Sequence, residues 1–410
     1  MLLPYPSALN ISIFTVLFAV VAIAADNLSR LFGHINLMVA LGVVALSVVY
    51  ASIRYPLDSI LRAIIYLNWM CHAGLTKDLR KLRLFFQAHT ARNVSASSKC
   101  GGVLPGWHVL PAGEVAWIAA AKAPVDDNEA SDGNIQFYSA CDQTLAEAER
   151  VVIFFHGVGG CRGGVGLPLA APSGRVTCKR ALATHFKCHV VSFEYRGFGD
   201  ITSFSSSSTA IPSEQSISED ATAAWDWVNA RVGPKCQVVL YAQSLGCAVA
   251  LHLASDLVQT TPSVATRLYL VLDAPFTSLA KAATVHPFGQ LAARLLDWVG
   301  YDDTQKAKIM ASILARIPDK WENEERFVML AEKGVHILSL CKDEDEVVPS
   351  SMSRELTNMV PVDGNNSSSS RVAPQLAVIK GRSKVLKRHH IDACTTPEWL
   401  AALGDFLGQI

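Results

Sequence analysis

The chain has ten cysteines but no Cys-x-x-Cys pair, and its 36 Lys and Arg are matched by 36 Asp and Glu. The first lack removes the spacing of zinc and thioredoxin-type sites. The second removes the basic excess of a general nucleic-acid binder, so no nucleic-acid partner is expected. A phosphate loop is missing too, because Gly163-Gly164 is not followed by Gly-Lys-Ser or Gly-Lys-Thr. No metal or organic cofactor is called for, and nothing in the residues speaks to oligomeric state. Cys188, Cys247 and Cys341 lie in or beside expected strands and read as small core residues. Cys100, Cys141, Cys161 and Cys178 fall in expected loops, which leaves disulfides open.

Charge is also absent from Leu9 to Ala25 and from Ile35 to Ile53, both almost wholly apolar. Each approaches the ~20 residues that span a bilayer as a helix. The first ends in Ala22-Ile23-Ala24-Ala25, as a signal peptide would, but no Lys or Arg precedes it, which favours an uncleaved membrane helix. Residues 1–90 are therefore expected to anchor the chain in a membrane, with candidate spans 9–25 and 35–53. Between Ser59 and Phe86 the residues Ile60, Ile64, Leu67, Leu79, Leu82 and Phe86 recur near helical spacing, as in a helix on the membrane surface or docked on the following domain. Arg54, Arg62, Lys77, Arg80, Lys81 and Arg83 place this flank in the cytoplasm. The sequons at Asn93, Asn365 and Asn366 suit a lumenal domain instead, and the side is left open.

The remainder, 91–410, is expected to be one α/β domain built around Gln237 to Ala250. There a β-branched run breaks at Ala242-Gln243-Ser244-Leu245-Gly246 and continues as a small-residue helix. A sharp strand-to-helix turn exposes a serine hydroxyl for nucleophilic attack, with Ala242 in place of the first glycine of G-x-S-x-G. Gly246 lets strand and helix approach closely, and the Leu245 amide at the helix start could stabilise an oxyanion. The plainer alternative is a serine serving only as a helix cap.

Val151 to Phe155 is a short apolar run of the kind buried on both faces of a parallel sheet, and it leads into His156-Gly157-Val158-Gly159-Gly160. The loop after such a strand can supply a second oxyanion amide, here that of Val158. Further strands are expected at Trp107–Leu110 paired with Val115–Ile118, at His189–Tyr195, Leu268–Asp273, His336–Leu340 and Gln375–Ile379, with helices through Lys179–Thr184, from Glu219, and over Pro397–Leu407. Strands alternating with helices indicate a mostly parallel sheet covered on both faces. The helical stretch 276–334 is a candidate lid. Asp345, at a strand's carboxyl end before Val347-Val348-Pro349, is the candidate orienting acid, with Asp343 as fallback. His390, in the loop after the last strand, is the candidate base, with His389 as fallback. The order Ser, Asp, His is that of α/β-hydrolases.

Several blocks carry a closer resemblance. They are His156-Gly157 with Arg162-Gly163-Gly164, Tyr195-Arg196-Gly197 with Gly199-Asp200, Trp225-Asp226-Trp227, Gln243-Ser244-Leu245-Gly246, Ala274-Pro275-Phe276-Thr277 followed by His286-Pro287-Phe288, and Asp345 ahead of Val347-Val348-Pro349. From Phe155 onward the chain resembles the family of abhydrolase-domain-containing protein twelve, membrane-anchored lysophosphatidylserine and monoacylglycerol lipases of the α/β-hydrolase superfamily. The resemblance implies an α/β-hydrolase fold, a triad of Ser244, Asp345 and His390, a single-chain lipid ester as substrate, and residence in the endoplasmic reticulum or another endomembrane. The spacing from His390 to Pro397, and Asp392 two residues on, favour His390 over His389. An acyl-protein thioesterase and a non-catalytic scaffold are the competing expectations. No His-x-x-x-x-Asp element near the end encourages acyl transfer.

Overall fold

The computed structural model describes residues 57–68, 78–113, 132–164, 174–201, 211–345, 347–360, 372–380, 394 and 396–409. In chain order the elements are helix α1 (Leu57–Tyr66), strands β1 (Ala91–Ser97) and β2 (Val103–Val109), α2 (Asp132–Ala146), β3 (Arg150–Phe155), α3 (Gly174–His185), β4 (His189–Phe193), α4 (Glu214–Asn229), β5 (Gln237–Gln243), α5 (Leu245–Thr260) and β6 (Leu268–Asp273). They continue as α6 (Leu279–Val285), α7 (Pro287–Val299), α8 (Asp303–Ala315), α9 (Glu324–Glu332), β7 (His336–Lys342), α10 (Ser350–Asn358), β8 (Gln375–Ile379) and α11 (Pro397–Gly408).

The strands form one sheet in the order β1-β2-β4-β3-β5-β6-β7-β8, antiparallel at β1-β2 and β2-β4 and parallel elsewhere. Val151, Val152 and Ile153 are each 0% exposed, as expected of central strands covered on both faces. Helix α5 packs on β3, β5 and β6, with α4 and α9 beside it. On the other face Phe186, directly after α3, meets Trp399 of α11, which packs on Tyr241. The fully buried tryptophans Trp107, Trp321 and Trp399 give their indole N–H groups to the Leu79 carbonyl, the Tyr66 hydroxyl and the Tyr241 hydroxyl. Burying such large rings costs no unpaired donor.

Register decides where the loops gather. Phe155 lies opposite Ala242, Gln243 opposite Asp273, and Asp273 opposite Leu340. The carboxyl ends of β3, β5, β6 and β7 therefore align, and the loops that leave them share one edge, where sheets of this kind hold their sites.

Several expectations need correction. Trp107 to Val109 pairs with Asn93 to Ala91 rather than with Val115 to Ile118, which lie outside the described residues. Cys141 and Cys178 sit on α2 and α3, not in loops, and the nine cysteines among the described residues are free thiols. The helical periodicity from Ser59 to Phe86 is not one helix: α1 stops at Tyr66, and Leu67 takes a positive φ of 47°. Its chain docks on the domain, since Tyr66, Leu79, Phe85 and Phe86 are buried in the main core. The stretch proposed as a lid is four helices, α6 to α9. The last of them is part of the core, with Phe327, Leu330 and Ala331 each 0% exposed. The apolar stretches 9–25 and 35–53 lie outside the described residues, and among those described no helix is long and apolar enough to cross a membrane.

Candidate active site

Ser244 stands between β5 and α5 with φ 54° and ψ −119°, a conformation that L-residues rarely adopt. Such a residue costs about 1–3 kcal/mol and persists only when its surroundings impose it. The surroundings here are specific. The Ser244 amide donates to the Asp273 carbonyl at 2.8 Å, which ties the turn to the end of β6. A Cβ on Gly246 would lie 2.3 Å from the Phe155 carbonyl oxygen, so only glycine fits where α5 crosses β3. The serine is not a cap. Ser213, Ser278, Asp302 and Thr396 each accept an amide from the helix they precede, whereas the Ser244 side chain makes no capping bond. Its hydroxyl is left to the carboxyl edge of the sheet, where it can serve as a nucleophile.

The loop after β3 lies against this turn. A Cβ on Gly157 would come within 3.0 Å of Ser244 Cβ and of the Gln243 carbonyl oxygen. Val158, half-buried, follows Gly157 directly in this loop, and Leu245 begins α5 on the other side of the turn. The His156 ring is turned inward: Nδ1 is 3.0 Å from the Gly157 carbonyl oxygen and Nε2 is 2.7 Å from Glu194 Oε1, both groups being fully buried. With both nitrogens engaged it is a structural support, not a base for Ser244.

Behind the loop lies a buried charge network that sequence reading overlooked. Glu194 Oε2 accepts from the Arg162 amide and from Arg162 Nη1, both at 3.0 Å, and Arg162 also forks onto Asp200 at 2.6 and 2.8 Å. Lys179 Nζ donates to the Arg162 carbonyl at 2.6 Å and sits over the Phe154 ring. The available signal was Glu194 itself, an acid directly after a wholly buried strand. Its partners lie some thirty residues upstream, and no local pattern names them.

Burial, with the Arg175 charge nearby, pulls the Lys179 ammonium from 10.5 down to about 7. The lysine of the unfolded chain keeps its ordinary value and binds the extra proton between pH 7 and 10.5, so stability from this site rises with pH across that window and is lowest below pH 7. Replacing Lys179 with methionine removes this dependence, so the variant's stability relative to the wild type is expected to be highest at pH 6 to 7 and to fall toward pH 10. Urea unfolding of both proteins across this range checks it, and a gap that widens with pH would refute it.

Asp345 is buried just beyond β7, and its Oδ1 accepts the amides of Val347 and Val348, both at 2.9 Å. Asp343 is exposed, 4.0 Å from Arg354, so of the two acids only Asp345 is held inward. Lys342 Nζ, also buried, is 3.1 Å from Asp273 Oδ1, and the Asp273 and Asp345 charges hold the ammonium above its usual range despite burial. His389 and His390 lie outside the described residues. Cys394 is described, buried with its Sγ 3.9 Å from the Tyr241 hydroxyl on β5. Among the described residues no cluster of His, Cys, Asp and Glu could hold a metal ion.

Comparison with known proteins bears on the family and the fold. A family model described as "Alpha/beta hydrolase family" matches residues 152–364, just over half of the chain. The chain is 27% identical over 307 residues to lysophosphatidylserine lipase ABHD12 of Xenopus tropicalis, covering 74% of this chain and 65% of that protein. It is 30% identical over 221 residues to the protein of the same name from Mus musculus, covering 53% and 47%. The chain thus spans about half to two thirds of the length of these relatives. An alpha-beta hydrolase crystal structure from Vibrio vulnificus shares the fold at 14% identity, with a TM-score of 0.51 over 86% of this chain and 94% of that one.

Proposed function

The chain belongs to the α/β-hydrolase family, and from that premise we propose that it is a membrane-bound serine hydrolase that cleaves the acyl ester of a single-chain lipid. The observation that carries the reading is Ser244, held at φ 54° at the carboxyl edge of the sheet with its hydroxyl unused as a cap. In this reading Ser244 Oγ attacks the acyl carbonyl while His390 accepts its proton. Asp345, fixed by two amides, orients the imidazole and stabilises the imidazolium that forms. The amides of Val158 and Leu245 stabilise the oxyanion. Collapse of the tetrahedral intermediate expels the glycerol oxygen, which takes the proton from His390. Water activated by the same histidine then releases the fatty acid and regenerates the serine.

Chain reach supports the choice of His390. It lies four residues before Cys394, which packs on Tyr241 three residues ahead of Ser244. Four extended residues span at most about 14 Å.

The lipid substrate rests on two supports. One is the similarity to lysophosphatidylserine lipases. The other is the pair of apolar stretches at 9–25 and 35–53, which would hold the site where amphiphiles concentrate. The reading is tested by incubating membranes that carry the full chain with lysophosphatidylserine, lysophosphatidylcholine, monoacylglycerol and an acyl-cysteine peptide, and measuring fatty acid released above control membranes. Release from lysophosphatidylserine or monoacylglycerol is the expected result. Release from the peptide alone would replace the reading with a thioesterase, and no release from any would remove it.

A further inference from the structure

The peptide unit that follows the Val158 amide is held at both poles. Its carbonyl, on Val158, accepts Arg175 Nη2 at 3.1 Å. Its N–H, on Gly159, donates to the main-chain carbonyl of Tyr66 at 3.1 Å. In a trans peptide these groups point in opposite directions, so Arg175 and Tyr66 grip the loop from opposite sides.

Neither grip is incidental. The buried Arg175 also donates from Nη1 to the Cys161 carbonyl at 3.2 Å and from Nε to Gln243 Oε1 at 3.1 Å, so one guanidinium joins two points of the loop to the residue before the nucleophile. The loop is shaped around it: a Cβ on Gly160 would sit 2.3 Å from Arg175 Nη1. Tyr66, 0% exposed, is fixed through its hydroxyl, which donates to Asp319 Oδ2 at 3.0 Å and accepts the Trp321 indole N–H at 3.0 Å. Arg62 of the same helix also reaches Asp319, at 3.0 Å. Asp319 follows α8 closely, so the anchor passes from the base of the α7–α8 pair through Tyr66 to the loop.

We propose that Arg175 and Tyr66 are positioning residues for the oxyanion loop, and that helix α1, which lies outside the family-matched region 152–364, is thereby part of the catalytic machinery. The inference rests on the serine-hydrolase reading above. Fixing both poles of the Val158–Gly159 peptide restricts how far the neighbouring Val158 N–H can turn before any oxyanion forms, and a preorganised donor contributes because it need not reorient during reaction. Lysine at 175 would keep the charge but lose the three-way fork. Phenylalanine at 66 would keep the ring and the carbonyl but release the hydroxyl from Asp319 and Trp321.

The experiment uses the full chain in detergent micelles. It measures kcat and KM for a soluble short-chain aryl ester, together with the affinity of an alkyl trifluoromethyl ketone, which adds the serine hydroxyl to give a hemiketal oxyanion. Arg175→Lys is expected to lower kcat about 10- to 100-fold with KM within about threefold, and to weaken the ketone by a matching factor. Tyr66→Phe is expected to move both quantities the same way by about fivefold, and it decides the matter if near-UV circular dichroism shows that Arg175→Lys does not fold. A variant that folds with wild-type kcat, or that loses kcat without losing ketone affinity, overturns the inference while the hydrolase reading stands. A folded wild type that neither cleaves the ester nor binds the ketone overturns both.

Discussion

Replacing Ser244 with alanine is expected to abolish fluorophosphonate labelling and to lower kcat by roughly 10⁴- to 10⁶-fold, leaving only what binding and the oxyanion amides supply. The size follows from the role: no other group would form the acyl-enzyme. The fold should not suffer, because the hydroxyl makes no capping bond. Alanine keeps the Cβ and with it the strain of φ 54°, whereas glycine at 244 removes it. Relief of about 1–3 kcal/mol outweighs the added chain entropy of glycine, about 0.5–1 kcal/mol. Ser244→Gly should therefore be as inactive as Ser244→Ala yet unfold at a higher urea concentration. Labelling that survives Ser244→Ala would remove the serine from the chemistry. A glycine variant less stable than the alanine one would show that the turn is not strained.

Removing the Glu194 carboxylate is expected to give the largest loss of stability. Glu194→Ala should cost about 3–5 kcal/mol, as is usual when one member of a buried charge network is deleted and its partners stay behind. Those partners are the Arg162 guanidinium and amide and the His156 ring, all within 3.0 Å and all buried. Asp200 would still hold one side of Arg162, which limits the loss, while His156 would face an empty pocket in a dry interior. Against a typical net stability of about 5–15 kcal/mol this is a large share. Glu194→Gln keeps the shape and one acceptor and should fall between. Urea unfolding read by tryptophan fluorescence measures all three proteins. A loss below about 1 kcal/mol for Glu194→Ala would show that the network contributes little.

How much of this was legible depends on how far apart in the chain the cooperating residues lie. Strands β3, β5, β6, β7 and β8 could be read because continuous apolar runs between turn residues have few other folds open to them. Strand β1, Ala91–Ser97, carries Arg, Asn and Ser and has no such pattern; only its pairing with β2 makes it a strand. The opening hairpin was misassigned for the same reason. Helix α2 went unread because its apolar residues are sparse, and the helical spacing from Ser59 to Phe86 misled because α1 already stops at Tyr66, where Leu67 turns to a positive φ.

At the site the division is the same. The chain alone nominated Ser244 with Gly246, the His156-Gly157 loop and Asp345 as candidates, because a strained turn, a close backbone approach and an acid at a strand end are conditions on neighbouring residues. It named His390 through order and spacing. Only the tertiary structure decided that Arg175 and Tyr66 grip the Val158–Gly159 peptide, that Glu194 joins His156 to Arg162, and that Arg62 meets Asp319 from 257 residues away. A buried charge or a main-chain carbonyl is indifferent to the sequence distance of its partner, and leaving water without one costs too much for any partner to be optional.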